Sequence, residues 1–224
     1  MSATEAGVFH STDGGLTWEN LIHSEIPHGF DNMVAVDFVN SQTGWVIGNA
    51  PNFILKTTDG GQSWFEQSGG GGLNLTFVDD QYGWIVGSGG TILHTTNGGQ
   101  TWLPQNSGTG FKLQAVSFID RHHGWVAGEA FTGNGFEGII LHTGNGGQTW
   151  IDQTPGTQSS LSDVSFVDSL HGWVVGGRRQ RPGNRDYSAH YRWRANLDCP
   201  AAGLGVRIRC GRLCGYPLWL GSRV

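Results

Sequence analysis

An eight-residue unit recurs four times along this 224-residue chain and limits what it can fold into more than any other feature. The copies are Ser11–Trp18 (STDGGLTW), Thr57–Trp64 (TTDGGQSW), Thr95–Trp102 (TTNGGQTW) and Thr143–Trp150 (TGNGGQTW). A second unit alternates with it: Gly44–Gly48 (GWVIG), Gly83–Gly87 (GWIVG), Gly124–Gly128 (GWVAG) and Gly172–Gly176 (GWVVG). Ahead of each second unit lies a short stretch ending in a polar turn: Val36–Asn40, Thr76–Asp79, Val116–Asp120 and Val164–Asp168. A further apolar stretch, Phe53–Lys56, Thr91–His94 or Ile139–His142, leads into the later copies of the first unit. Such self-similarity is decisive, because each repeat is one supersecondary element that needs its neighbours to bury a core.

One repeat therefore reads as strand, turn, strand, loop, strand, tight turn, strand. Composition agrees: 38 glycines and only 14% charged residues suit short strands joined by tight turns. The tight turn has a local explanation. An Asp or Asn oxygen can accept backbone N–H groups two residues on. The Gly-Gly pair can supply positive φ. Ser and Thr hydroxyls can tie the arms of the hairpin, and the tryptophan can cover the turn. The residues in these roles are Asp13, Gly15, Thr17 and Trp18; Asp59, Gly61, Ser63 and Trp64; Asn97, Gly99, Thr101 and Trp102; and Asn145, Gly147, Thr149 and Trp150. None of them needs a substrate. Four short strands in roughly 40–50 residues make one propeller blade. The expected fold is all-β: a partial, open β-propeller of four-stranded antiparallel blades over residues 1–177. Incomplete blades are expected at 1–22 and 155–177, and complete ones near 23–68, 69–106 and 107–154.

The pattern S/T-x-D/N-x-G-x-T/S-W is the Asp-box, or BNR, repeat of sialidases and several other propeller families. Combined with F-V-D-x-x-x-G-W-x-x-G, it most resembles the photosystem II assembly and stability factor family of cyanobacteria and chloroplasts, over about residues 7–177. The resemblance implies a seven-bladed parent, a non-catalytic scaffold and a protein partner, a subunit of a membrane complex. It implies an extracytoplasmic location: periplasm, thylakoid lumen or secreted. No cofactor and no nucleic-acid partner are expected. Met1–Ala6 lacks the basic start and apolar stretch of a signal peptide, and the chain begins almost inside a repeat, as a truncated start would. No apolar run approaches a membrane span. The alternative is a fragment of a glycan-active propeller, sialidase-like or another glycoside hydrolase, or of a carbohydrate-binding one.

A sialidase site needs an arginine triad and a tyrosine nucleophile. Residues 1–177 hold one arginine, Arg121, and one tyrosine, Tyr82, which shares its repeat position with Thr43, His123 and His171. Asp79, Asp120 and Asp168 likewise recur at one position, as turn residues rather than a glycosidase pair. His10, His94 and His142 share a position with Lys56, and no Cys or His spacing matches a zinc site, so no metal is expected. Ser68–Gly72 lacks the Lys-Ser/Thr of a phosphate loop. Only Glu129 and Glu137 break the repeat, on either side of the insertion Ala130–Phe136. With Phe131 and Phe136 they form the candidate binding loop, because insertions in repeat proteins are where specificity sits; the alternative, and the favoured one, is a solvated hairpin loop with two exposed aromatics.

A sharp break falls near Gly177. Before it, three basic residues stand against sixteen acidic ones; after it, ten arginines stand against Asp186 and Asp198. All three cysteines, Cys199, Cys210 and Cys214, also lie after it. A basic tail ordinarily points to nucleic acid or an acidic membrane, but reverse translation points elsewhere. Read one nucleotide later, the codons of Gly183 to Asp198 permit E-T-G-I-I-L-H-T-T-D-G-G-Q-T-W. Those from Cys210 to Val224 permit A-V-D-F-V-D-T-x-Y-G-W-V-A-G. The single tryptophan codon forces Gly at Trp193 and at Trp219. The recovered Trp also precedes the recovered Gly by the same distance as Trp102 precedes Gly124. Residues 178–224 are thus expected to be a frameshifted, non-native tail whose charge and cysteines carry no function. The gene is predicted to hold a one-base insertion or deletion between about codons 177 and 183; sequencing it checks this, and codons spelling no Asp-box in any frame would refute it.

Overall fold

The computed structural model describes residues 7–21, 32–49, 52–132 and 135–177, and the backbone of Tyr191–Asn196. The described chain is built of strands with one 3-10 turn at Ser88–Gly90. Among the described residues no helix is long and apolar enough to cross a membrane. β1 (Phe9–His10) and β2 (Glu19–Asn20) form a two-stranded sheet. Three four-stranded sheets come next, each an antiparallel meander in chain order. The first holds β3 (Met33–Phe38), β4 (Gly44–Asn49), β5 (Asn52–Thr57) and β6 (Phe65–Gln67). The second holds β7 (Asn74–Phe77), β8 (Gly83–Val86), β9 (Thr91–Thr95) and β10 (Leu103–Asn106). β11 (Lys112–Phe118), β12 (Gly124–Phe131), β13 (Phe136–Thr143) and β14 (Ile151–Asp152) make the third. The last sheet is β15 (Ser160–Phe166), β16 (His171–Gly177) and β17 (Tyr191–Asn196). This is an open β-propeller. The other residues of the expected non-native tail, 178–190 and 197–224 with the three cysteines, lie outside the described residues.

Glycine in the Gly-Trp unit is a packing requirement. Phe38, Phe77, Phe118 and Phe166 pair in register with Gly44, Gly83, Gly124 and Gly172. Each phenyl ring lies across its glycine, so an added Cβ would come within 2.6 Å, 2.5 Å, 2.3 Å and 2.4 Å of it. The same rings reach the preceding blade. Trp45 stacks on Phe77 (3.5 Å, 6°), Trp84 on Phe118 (3.6 Å, 8°) and Trp125 on Phe166 (3.6 Å, 2°). The Asp-box indole of the phenyl's own blade then meets it edge-on: Trp102 on Phe77 at 5.8 Å and Trp150 on Phe118 at 6.0 Å. Trp45 and Trp84 are 0% exposed and Trp125 1%, so the core sits between blades as much as within them.

A residue of the third strand in each blade covers these indoles in turn. Trp45, Trp84 and Trp125 pair across strands with Lys56, His94 and His142. The Lys56 ammonium lies 4.9 Å from the Trp45 ring, and both histidines stack on their indoles at 4.8 Å. Burial lowers the basicity of both histidines, and His123 adds to the effect at His142. This shared position is a cap on the indole.

The first strands β3, β7, β11 and β15 lie side by side in sequence order. Polar side chains stitch them: Asp37 Oδ2 accepts the Phe77 N–H at 2.6 Å, and Ser117 Oγ accepts the Phe166 N–H at 3.2 Å. Burial pushes the Asp37 carboxyl above the ordinary range, although the N–H groups of Phe77 and Phe38 pull the other way. Replacing Trp84 by Ala is expected to cost about 3–5 kcal/mol, as deletion of a large buried aromatic does. Trp18→Ala, at a position 63% exposed, should cost well under half of that in the same urea titration.

Candidate functional site

The Asp-box turns are built alike in all four copies. A Ser or Thr hydroxyl opens each one: Ser11, Thr57, Thr95 and Thr143 accept the N–H of Gly15, Gly61, Gly99 and Gly147 at 2.8–2.9 Å. The same hydroxyl donates to the Asp or Asn two residues on, at 2.8 Å in Ser11–Asp13 and 2.9 Å in Thr143–Asn145. The acid or amide oxygen then takes the N–H four residues ahead, at 3.0 Å for Thr17, 2.9 Å for Ser63, and 3.0 Å for Thr101 and Thr149. This differs from the two-residue Asx turn expected from sequence. The hydroxyl faces the near N–H groups, and the longer arc leaves the carboxylate aimed at the far arm. The Gly-Gly pairs hold positive φ throughout, for example 75° and 94° at Gly60 and Gly61.

Asx turns do occur at the neighbouring bend. Asn40, Asp79, Asp120 and Asp168 each accept two backbone N–H groups, two and three residues on, at 2.7–2.9 Å. The Asp-box docks on this bend through Gly60 N–H to Gln42 O, Gly98 N–H to Gln81 O and Gly146 N–H to His122 O. Arg121 closes the gap between two blades, donating to Asp79 at 2.7 Å with its guanidinium 4.3 Å from the Tyr82 ring. The lone arginine and lone tyrosine of residues 1–177 thus meet as a strut. His123 and His171 bond the carboxylates of Asp120 and Asp168 at 2.8 Å and 2.9 Å. Burial raises the Asp120 pKa, but the bonds from His123 and His122 outweigh it and bring it to about 2. Among the described residues no group of three or more His, Cys, Asp or Glu side chains could hold a metal.

The candidate loop divides into two parts. Glu129, expected at its surface, is only 6% exposed. Its Oε2 accepts from Ser160 Oγ at 2.6 Å, and its Oε1 lies 3.8 Å from Lys112 Nζ. Glu129 therefore ties β12 to β15 of the next blade. The other three residues stand at the tip of the β12–β13 hairpin. Phe131 is 62% exposed and meets Phe136 at 5.4 Å and 61°. Glu137 is exposed and accepts a 3.4 Å bond from Thr132 Oγ1. Gly133 and Asn134 of the insertion lie outside the described residues. Sequence reasoning missed Asp37 and Ser117, whose strand alternation gave no sign of bonds between blades. A cavity of about 660 Å³ between the β1–β2 sheet and β3–β4 is lined by Val8, His10, Trp18, Leu21, Met33, Phe38 and Val46.

The family model described as photosynthesis system II assembly factor YCF48 matches residues 1–68 and 71–155. Among solved structures, YCF48 from Cyanidioschyzon merolae superposes with a TM-score of 0.58 at 20% identity, over 75% of this chain and 60% of that one. The GH74 enzyme of Niastella koreensis gives 0.62 at 18% identity, over 77% and 32%. The GH74 xyloglucanase of Xanthomonas campestris gives 0.59 at 14%, over 84% and 36%. At these identities the likeness to solved structures is one of fold alone. The chain spans 60% of the length of the YCF48 structure it matches. No curated protein matches it.

The Asp-box acids give a pH signature. The Ser63 hydroxyl, then its N–H, then the Thr57 hydroxyl lower the Asp59 pKa to about 2. An unfolded Asp titrates near about 3.9. The folded value is the lower one, so this bond set supports the fold fully above about pH 4 and is lost as pH falls toward 2. Asn97 and Asn145 hold the same geometry without titrating. Asp59→Asn should therefore flatten the acid end of a stability–pH profile, read by thermal melts between pH 2 and 5, and an unchanged profile would contradict this.

Proposed function

We propose a scaffold role from one premise: the chain belongs to the photosynthesis system II assembly factor YCF48 family. The role is to bind a protein partner, a subunit of a membrane complex, without catalysis. The observation that carries this reading is the aromatic tip of the β12–β13 hairpin. That hairpin breaks the repeat, and its outermost pair, Phe131 opposite Phe136, presents a phenyl ring 62% exposed to solvent. Aromatic side chains supply large contact area at low entropic cost, which is why they anchor protein interfaces. The groups that would serve chemistry support the same reading, because they are engaged in the scaffold. Asp79, Asp120 and Asp168 close turns, Tyr82 and Arg121 pack together, and Glu129 is a buried tie. Sixteen acidic residues against three basic ones over residues 1–177 favour a partner segment that carries Lys or Arg.

Surface plasmon resonance against purified photosystem II reaction-centre subunits tests the proposal. The chain should bind, and the Phe131→Ala/Phe136→Ala variant should bind about 30-fold more weakly or worse, the loss typical of a hot spot. Its melting temperature should stay unchanged. Equal binding by the variant would remove the hairpin from the reading. No binding to these subunits, together with specific binding on a glycan array, would replace the scaffold with a sugar-binding propeller.

A further inference from the structure

Two indoles on the C-terminal side of the fold lack a contact that their repeat mates have. Trp45 Nε1 donates to Gly98 O at 3.1 Å, and Trp84 Nε1 donates to Gly146 O at 3.3 Å. In both cases the acceptor is the first glycine of the Asp-box in the following blade. Trp125 stands at the same position and is 1% exposed, and among the described residues its Nε1 has no hydrogen-bond partner. A buried, unpaired N–H costs free energy that its two counterparts avoid. The second case is Trp173. Trp45, Trp84 and Trp125 each lie under the Phe of the following Phe-Val-Asp or Phe-Ile-Asp turn. Trp173 is 38% exposed.

Among the described residues neither contact is offered in register. Across β16 and β17, Ala195 sits opposite Gly172. In the complete blades that place belongs to Thr57, Thr95 or Thr143, the hydroxyl that opens the Asp-box. The residues after Ala195 are Asn196-Leu197-Asp198-Cys199, with no Gly-Gly pair to take up positive φ.

We propose that the Trp125 indole and the open face of Trp173 form a receiving surface for two segments spelled by the next reading frame of the same gene. The first is the Asp-box T-D-G-G-Q-T-W. Its first glycine is the one that the Trp193 codon forces, and its carbonyl caps Trp125. The second is the F-V-D turn, whose Phe is permitted across the codons of Leu213 and Cys214 and covers Trp173. The reverse translation and the two unfilled contacts are independent of each other, and they name the same two segments in the same order along the chain. The inference does not rest on the scaffold role.

The experiment compares the full chain with the chain produced after one base is restored between codons 177 and 183. Two readouts are used: the urea midpoint, and hydrogen exchange of the Trp125 indole N–H, assigned by its loss in Trp125→Phe. Restoration should raise the midpoint and slow the indole exchange by about tenfold, the effect of one net hydrogen bond at the upper end of its range. Trp125→Phe should lower the midpoint more in the restored chain than in the original. Equal midpoints, unchanged exchange, or the same Trp125→Phe effect in both chains would overturn the proposal. So would a restored gene whose codons spell neither segment, a result that needs no folded protein.

Discussion

The stack of an indole from one blade on a phenyl from the next is the contact on which the rest of this structure depends. Trp45–Phe77, Trp84–Phe118 and Trp125–Phe166 are near-parallel pairs at 3.5–3.6 Å, and each joins two separate sheets. Each phenyl also lies across the glycine of its own blade, so one ring fixes both the closeness of two strands within a sheet and the spacing between sheets. The repeated Phe, Gly and Trp are parts of a single joint. Stability in such a chain is a sum of blade terms and neighbour terms, and a blade without its neighbour leaves its indole open. Trp173, on the last described sheet, is 38% exposed, whereas Trp45, Trp84 and Trp125 are buried.

Turn chemistry serves the joint. The Asp-box holds its Gly-Gly bend in a shape that turns a backbone carbonyl toward the indole of the preceding blade. Lys56 and Gln105 reach the same carbonyls, at 3.0 Å and 2.8 Å. In two copies the first glycine of the motif accepts a buried indole N–H, that of Trp45 or of Trp84. Acids that would look catalytic in isolation accept turn N–H groups, and their pKa values move down because those bonds favour the charged form. Asp37 moves the other way, because burial outweighs the bonds it accepts.

The strands, the tight turns and the division into four-stranded units were legible in the sequence, because each depends on residues close together in the chain. Contacts between blades were not. Repeat periodicity shows that Trp45, Trp84 and Trp125 are equivalent, but it does not say that the N–H groups of Trp45 and Trp84 reach a turn more than 50 residues away. The shared position of Lys56, His94 and His142 was visible without its purpose, since stacking across a strand pair depends on register. Glu129 misled for a physical reason. A charged residue that breaks a repeat reads as surface, whereas here Ser160 and Lys112 hold it in the interior. Phe131 kept the exposure expected of an insertion, at 62%, whereas Phe136 beside it is half-buried.

A propeller assembled this way leaves its loops free to vary while the joints stay fixed. The central claim is that the indole–phenyl stack couples neighbouring blades. A double-mutant cycle on Trp84 and Phe118, using Trp84→Leu, Phe118→Leu and the pair in urea denaturation, tests it most directly. The account predicts a coupling energy of about 0.5–1.5 kcal/mol, as for a stacked aromatic pair. Additive losses, with coupling indistinguishable from zero, would mean that each ring only fills its own blade and that the joint described here does not exist.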